Sequence, residues 1–516
     1  MARITISVDH VVAPVDRRIL GGFAEHLGRC VYGGIYDEGS PLADERGFRK
    51  DVIEAVRRLR PPVLRWPGGN FVSGYHWTDG IGPKENRPRR MELAWHTEES
   101  NRFGTDEFLA FCEAVGAEPY LCVNMGTGTM DEAQAWVEYC NGTGDTEWAN
   151  RRRENGREEP YRVRYWGLGN EMYGPWQIGQ KTAEDYVKEA RQWAKVLTWT
   201  DPSIELVSCG ENGWSEWDDT VISGLAEFVR WHSIHIYTGS DDYWADVLAP
   251  HQAERAMRIT AAMIEKARYQ QKISHPIHIA YDEWNVWFRE RDGSAGLEER
   301  YTLADALAVG TYLHAFVRNA KAVRMANLAQ LVNVIAPIVT SPEGMFLQSI
   351  YHPLRLFADH LGTSALDVHV DSETHEHAES PETDLWPYRV ADLGPFPVLD
   401  AVATRSEAGE LMISVINRSP DTDVTAELRL VGDFRRRPAA IEVVNADDWN
   451  QANSFDCPDA VSVREGTFGD LADGIRHTFP AHSHTVISTT ATGAKGAGRA
   501  YTQRGSAANS VTADGE

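Results

Sequence analysis

The sequence predicts an α/β protein: a (β/α)8 TIM barrel with a C-terminal antiparallel β-sandwich domain. Three observations carry that prediction. From about Arg18 to about Ala358, short β-rich apolar runs alternate with helical patterns, as in βαβ units around a parallel sheet. Beyond about Gly362 the pattern changes to period-two alternation broken by turn signals, the mark of an antiparallel sandwich. No early strand runs into a Gly-rich phosphate turn, a feature that favours the barrel over an open doubly wound sheet.

The elements follow in order. The opening RITISVDHVV alternates and precedes the barrel. It is expected to complete a sheet of the C-terminal domain, so that domain is discontinuous. The barrel strands are expected in ILGGFAEHL, VLRWPGG, PYLCVNMG, VRYWGLGNE, ELVSCG, HSIHIY, IHIAYDEW and MANLAQLV. Helical periodicity lies between them in FRKDVIEAVRRL, TDEFLAFCEAVG, AEDYVKEARQWAKVL and LADALAVGTYLHAFVRN. Eight such repeats over this length match a (β/α)8 barrel. The sandwich strands are expected in DAVATRSEAGELMISVINRS, TAELRLVGDF, AAIEVVNAD and GIRHTFPAHSHTVISTT. The domain boundaries are therefore 14–360 for the barrel and 1–13 plus 361–491 for the sandwich. Residues 492–516, rich in Gly, Ala, Ser and Thr, read as a disordered tail.

Two insertions stand out. Residues 70–105 follow the second strand and so belong on the C-terminal face of the barrel, where active sites are built. They carry Tyr75, His76, Trp77 and Trp95, side chains suited to stacking on a sugar. Residues 141–160 precede the fourth strand, on the opposite face, and their Arg and Glu content reads as a solvated charged loop.

Composition removes several classes. The chain has 516 residues, 42% hydrophobic and 25% charged, with a net charge of −25. A nucleic-acid partner would favour a basic field, so none is expected. No run approaches the ~18–20 apolar residues of a membrane span, so no membrane association is expected. Six scattered cysteines form no CxxC, and read as free buried thiols in a reducing compartment. The first residues lack the apolar core of a secretory signal. The expected location is cytoplasmic.

In a barrel, the residues ending the strands converge on one pocket. Here these are Glu25 and His26, Arg65 and Asn70, Asn124, Asn170 and Glu171, His235 and Tyr237, Asp282, Glu283 and Asn285, and Gln330. The set lacks the convergent His and Cys ligands of a metal site, a GxSxG elbow and a strand-end lysine. Two carboxylates with an amide beside one of them suit glycoside hydrolysis, which needs a protonated acid for the leaving oxygen and an ionised carboxylate for the anomeric carbon. Glu171 and Glu283, on strands 4 and 7, form the best pair across the barrel mouth. His26 and His235 read equally as structural histidines or substrate contacts, and Asn124 and Asn285 are left open. The histidines of DSETHEHAE lie outside the barrel and read as part of a solvated loop.

The segments GGFAEHLGRCVYGGIYD, LRWPGGNFVSGYHWTDGIGP, ELAWHTEESNRFGTDEF, YWGLGNEMYGPWQIG, HIYTG, YDEWNVW and NLAQLVNVIAP resemble the blocks of glycoside hydrolase family 51. Its typical members are α-L-arabinofuranosidases, and the resemblance runs from about residue 4 to about 485. It implies a retaining mechanism with Glu171 in GNEM as general acid/base and Glu283 in YDEWN as nucleophile. It implies that Asn170 bonds the sugar 2-OH and that Glu25 and Asn70 grip arabinose hydroxyls. Arg65 and Tyr237 would orient the nucleophile, Gln330 would make a further sugar contact, and Trp95 would be a lid aromatic. The resemblance also implies a homo-oligomer, a hexamer; no cofactor is needed for this chemistry, and the strand-end residues lead to no expectation of a metal.

The expected activity is therefore a retaining, exo-acting α-L-arabinofuranosidase that frees terminal L-arabinofuranose from arabino-oligosaccharides. The alternatives are an endo-β-glucanase or β-xylosidase on the same barrel, or a non-catalytic sugar-binding protein. A retaining site requires carboxyl groups about 5–5.5 Å apart. Burial and a neighbouring negative charge are expected to raise the pKa of Glu171.

Overall fold

The computed structural model describes residues 1–288, 297–378 and 389–489. Among them, eight parallel strands close a barrel: Gly21–Phe23, Val63–Trp66, Glu118–Val123, Tyr165–Leu168, Glu205–Ser208, Trp231–Thr238, His278–Val286 and Val323–Leu328. They are barrel strands 1 to 8 below. Seven of them each contribute one residue to a buried apolar cluster: Val63, Tyr120, Tyr165, Val207, Trp231, Ala280 and Met325. Strand 1 opens with glycine for a steric reason. A Cβ on Gly21 would fall 2.7 Å from Val63 Cγ1 and 2.8 Å from the Ala326 carbonyl, so only a bare backbone fits between strands 2 and 8.

The surrounding helices start where local chemistry sets them. Thr182 accepts from the Asp185 amide at the head of Ala183–Thr200. Ser215 with Asp218, and Thr302 with Asp305, form reciprocal capping boxes at Glu216–Leu225 and Leu303–Arg318. Among the described residues no helix is long and apolar enough to cross a membrane.

Eight strands after the barrel join the N-terminal strand Ala2–Pro14 in one nine-stranded sheet among the described residues. Ala2–Pro14 pairs antiparallel with Ser364–Asp371 and parallel with Val424–Val431, the latter an exception in an otherwise antiparallel sheet. Ile4, Ile6, Leu399, Ile413, Leu428, Phe479 and Ile487 share one core, so the sheet folds over on itself as a sandwich does.

Two readings of the sequence need correcting. Residues 141–160 are not a solvated loop: Glu147–Glu154 is a helix. Trp148 sets its ring against Trp77 at 5.1 Å, and Arg152 is fully buried. Arg152 donates to the carbonyls of Tyr139 (2.8 Å), Glu158 (3.2 Å) and Arg157 (3.3 Å), so one arginine of the charged run serves as a backbone cap. Secondly, Cys457 is exposed, whereas Cys30, Cys112, Cys122, Cys140 and Cys209 are buried and free. The tail expected at 492–516 lies outside the described residues.

Helix Leu303–Arg318 lies between barrel and sheet and carries a buried polar relay. His314 Nδ1 meets Asp400 Oδ2 at 2.9 Å, and its Nε2 meets Ser414 Oγ at 2.7 Å. Ser414 in turn meets His484 Nε2 at 2.7 Å. Arg318 donates to Asp400 at 2.8 Å and to Glu254 at 3.0 Å. Burial lowers the pKa of His314 and drives that of His484 well below its usual value. The native state therefore keeps these rings neutral at pH values where the unfolded chain protonates them.

Their stabilising contribution is complete above about pH 6.5 and is lost as pH falls toward the folded pKa, at up to about 1.4 kcal/mol per pH unit for each ring. Asp400, held well below its usual range despite burial by Arg318, Arg418 and His314, keeps its share until far lower pH. Thermal melts should show Tm falling between pH 7 and pH 5. In His484→Gln the baseline should drop, but the decline across that window should shrink. An equal decline in both proteins would assign the acid sensitivity elsewhere.

Candidate active site

The site is built on Arg65, at the centre of strand 2 and pointing into the lumen. Its Nη1 donates to Glu283 Oε1 at 2.6 Å and its Nη2 to Asn170 Oδ1 at 2.5 Å. Nε lies 3.6 Å from Asp282 Oδ2, and the cation sits over the Phe23 ring at 4.7 Å. One planar guanidinium thus fixes residues of strands 4 and 7 relative to each other. Tyr237 of strand 6 donates to the other oxygen of Glu283 at 2.9 Å. Arg65 and Tyr237 therefore hold the carboxylate rather than standing open to a ligand.

Glu171 follows Gly169 (φ +78°) and has a left-handed backbone itself, φ +43°. For a residue with a Cβ this costs on the order of 1 kcal/mol, and it turns the carboxylate toward the mouth. Trp176 Nε1 donates to Oε2 at 2.7 Å, and the Tyr173 hydroxyl donates to Oε1 at 3.2 Å. His235 Nδ1 stands 3.1 Å from the same Oε1 and 3.6 Å from Glu283 Oε2. The facing atoms of Glu171, His235 and Glu283 all lie within 4.8 Å of one another. A metal ion can bridge such a spacing. Here the three are engaged with each other and with Arg65, Tyr237, Tyr173 and Trp176, and none is assigned as a metal ligand.

Beneath this group Asp282 accepts from Tyr120 at 2.8 Å and from Ser233. Burial works against its charge, but Arg65, His235 and Ser233 outweigh burial and hold its pKa at about 2. Burial likewise opposes a charged His235, yet Glu283, Asp282 and Glu171 raise it to about 10. That cation changes the expectation for Glu171. Burial pushes its pKa up, but His235, Trp176 and Tyr173 reverse the sign and lower it. The carboxyl with the raised value is Glu25, pushed up to about 7 by burial and by the charge of Glu283.

Glu25 forms the second half of the site. It accepts from the Phe71 amide (3.0 Å), from Trp95 Nε1 (3.0 Å) and from Gln330 Nε2 (3.2 Å), while Gln330 Oε1 accepts from the Glu25 amide at 2.9 Å. The Gly68–Gly69 turn makes this closeness possible. A Cβ on Gly68 (φ +157°) would lie 2.5 Å from Glu25 Cγ, and one on Gly69 would lie 3.2 Å from both Glu25 Oε2 and Glu283 Oε1.

The 70–105 insertion folds as short 3-10 turns and a hairpin, Arg90–Glu92 with Thr97–Glu99. Trp95 sits at the hairpin turn. His26 pins the hairpin: Trp66 donates to its Nε2 at 3.1 Å, which leaves Nδ1–H to donate to Glu99 at 2.8 Å.

The residues expected at the site separate clearly. Glu25, Arg65, Trp95, Asn170, Glu171, Tyr237, Glu283 and Gln330 form one connected group. Asn70 lies beside it, and among the described residues its amide takes no hydrogen bond. The buried Nδ2 of Asn170 likewise has no partner among the described residues, so a ligand hydroxyl can satisfy it. His26, Asn124 and Asn285 are structural: Asn124 bonds the Tyr75 carbonyl and Thr127, and Asn285 bonds the carbonyls of Ala329 and Ile335.

The sequence reading did not single out Tyr120, Tyr173, Trp176 or Ser233, and left His235 undecided. For Ser233 and His235 a signal was present in HSIHIY, where residues two apart share a strand face. His375, in the acidic histidine segment, stacks on Trp244 at 3.8 Å, while residues 379–388 lie outside the described ones.

A barrel with two carboxylates facing across its mouth, an orphan amide and an indole lid defines a barrel glycoside hydrolase. Comparison with known proteins narrows the class. Family models for the α-L-arabinofuranosidase 1 domain and the α-L-arabinofuranosidase C-terminal domain match residues 55–255 and 282–483. The chain is 48% identical to α-L-arabinofuranosidase C of Emericella nidulans over 82% of this chain and 86% of that protein. It is 37% identical to an exo-α-(1→6)-L-arabinofuranosidase of Bifidobacterium longum over 94% and 97%. The arabinose complex of the Thermotoga maritima α-L-arabinofuranosidase superposes with a TM-score of 0.85 at 42% identity, covering 95% of this chain and 99% of that one. The chain belongs to glycoside hydrolase family 51 and is an α-L-arabinofuranosidase.

The Trp95–Glu25 bond predicts how the lid contributes. The indole N–H bonds Glu25, which is neither of the two facing carboxylates, so its loss should weaken substrate binding more than chemistry. Trp95→Ala should raise KM for an aryl arabinofuranoside about tenfold, equivalent to about 1.4 kcal/mol, with kcat changed only a few-fold. A large fall in kcat at constant KM would place Trp95 in the chemical step instead.

Proposed function

We propose that this α-L-arabinofuranosidase is retaining and exo-acting, with Glu171 as general acid/base and Glu283 as nucleophile. The spacing of the two carboxylates carries the reading. Their facing oxygens lie within 4.8 Å, which suits direct attack and leaves no room for a water between nucleophile and sugar. Glu283 forms a bond to the anomeric carbon as the glycosidic bond breaks, and Glu171 gives its proton to the leaving oxygen. Glu171 then takes a proton from water, which attacks the same carbon and frees Glu283. The residues that bind sugar hydroxyls in this reading are Glu25, Asn70, Asn170 and Gln330, with Trp95 closing the pocket. The chemistry needs no cofactor.

The pinned hairpin over Glu25 supports a blind pocket for one terminal residue. The exo-acting Bifidobacterium relative agrees with it. Buried free thiols suit a reducing cytoplasm, where short arabino-oligosaccharides would be the substrates. The homo-oligomeric state, a hexamer, rests on family resemblance, and light scattering checks it.

Rescue by azide tests the roles. Glu283→Ala should lose turnover, and azide should restore it with an inverted glycosyl azide. Glu171→Ala on an activated substrate should instead give a retained azide. Exchange of these two stereochemical outcomes would exchange the assignments.

Asn170 tests the sugar contact. A bond to the 2-OH strengthens as the ring gains oxocarbenium character. Asn170→Ala should therefore lower kcat about 100-fold, equivalent to about 2.7 kcal/mol, with little change in KM. Near-native kcat would remove Asn170 from the transition state.

A further inference from the structure

The hydrogen-bond pattern around His235 fixes where its protons lie. Ser233 donates its single hydroxyl proton to Asp282 Oδ1. Toward His235 Nε2, 3.1 Å away, the Ser233 oxygen can only accept, so Nε2 carries a proton. Asp282 Oδ1, 3.3 Å from the same nitrogen, favours that assignment. The other ring nitrogen, Nδ1, meets Glu171 Oε1 at 3.1 Å. A ring nitrogen and a carboxyl oxygen at this distance share one proton between them. That proton sits either on Nδ1, giving imidazolium and carboxylate, or on Oε1, giving imidazole and carboxylic acid. The two forms differ by one transfer along an existing bond, with no change of tautomer at Nε2.

We propose that the proton Glu171 delivers to the leaving group is held in the free enzyme by His235, and reaches Glu171 through the Nδ1–Oε1 hydrogen bond. His235 acts through Glu171 and is a positioning residue for the acid. The idea rests on the acid/base role of Glu171 and deepens it.

Each step balances. Transfer breaks Nδ1–H and forms Oε1–H, turning imidazolium plus carboxylate into imidazole plus carboxylic acid. Glycosylation then breaks Oε1–H as the leaving oxygen gains the proton, while Glu283 bonds to the anomeric carbon. Hydrolysis returns one proton from water to Glu171 and back to His235, and restores the Glu283 carboxylate.

The neighbours supply the driving force. His235 faces Glu171 at the end of strand 4 and both Asp282 and Glu283 on strand 7. Its own strand adds Ser233 and Tyr237, the latter through Glu283. Its amide donates to the Glu211 carbonyl after strand 5 at 2.7 Å, and Arg65 of strand 2 stands behind Asp282 and Glu283. The charge of Glu283 is the largest of the influences that keep the ring protonated. Esterification of Glu283 removes that charge, so the ring loosens its proton in the half-reaction that consumes one. It regains its hold when Glu283 is freed.

His235→Gln is the test, because glutamine keeps an N–H for Glu171 but has no proton to release. The observable is kcat/KM across a leaving-group series at fixed pH. With a sugar or alkyl leaving group, the variant should lose roughly 10²- to 10³-fold, within the range for general acid catalysis. With 2,4-dinitrophenolate, which departs without a proton, it should lose less than about tenfold. The basic limb of the kcat/KM profile on the sugar substrate should also move to lower pH than in the wild type. Ser233→Ala, which removes one of the two acceptors at Nε2 and leaves Asp282, should show the same leaving-group pattern more weakly. Equal losses across the series with an unmoved basic limb would overturn the proposal and leave His235 a packing residue. Azide rescue of Glu171→Ala reports separately on the acid/base role, so failure of one reading is distinguishable from failure of the other.

Discussion

The Arg65 guanidinium is the interaction on which the barrel mouth depends. Four carboxyl groups, Glu25, Glu171, Asp282 and Glu283, converge in a space from which most water is excluded. Among the described residues, Arg65 and His235 are the cations that oppose them. Buried charges of one sign are tolerated when each is paired and hydrogen-bonded, and removing one partner leaves an uncompensated charge that costs about 3–5 kcal/mol. Arg65 reaches Glu283, Asn170 and Asp282 with separate nitrogens, so a single planar group sets the relative positions of strands 4 and 7. Lysine offers one charge point and no fork.

That constraint propagates outward. Because Glu25 and Glu283 approach so closely, the chain between them after strand 2 must be Gly68–Gly69, with no Cβ to intrude. Because the chain turns there without side chains, Phe71 can donate its amide to Glu25. The insertion that follows is tied back to strand 1 through Glu99 and His26. The lid is thus an extension of the floor, stiffened by the same carboxyl it covers. The C-terminal sheet stands behind, bonded through His314 and Asp400 to the helix that leads into strand 8.

Where the structure corrected the sequence reading, a short-range contact reversed a general tendency. Burial beside another acid predicts a raised pKa for Glu171. A protonated imidazole at 3.1 Å with two neutral donors outweighs it, and Glu25 carries the raised value instead. In residues 141–160 charge density predicts a solvated loop. One tryptophan docked on Trp77, and one arginine turned inward onto three carbonyls, suffice to make a packed helix.

The sequence by itself determined the alternation of strand and helix, the ends of the strands, and the identity of nearly every side chain in the pocket. Hydrophobic period and turn chemistry are local, and a barrel obliges strand ends to meet. Glu171 and Glu283 were legible because polar residues that terminate apolar strands are expensive unless used. Pairing between strands was not legible: Tyr120 with Asp282 and His235 with Glu171. Pairs such as Tyr120 with Asp282 lie 162 residues apart, and their partners are chosen by ångström-scale distance. Tertiary structure alone decided which carboxyl keeps a proton and which ring supplies one, because a pKa is set by the few atoms within about 4–6 Å, and those atoms come from different strands of the closed barrel.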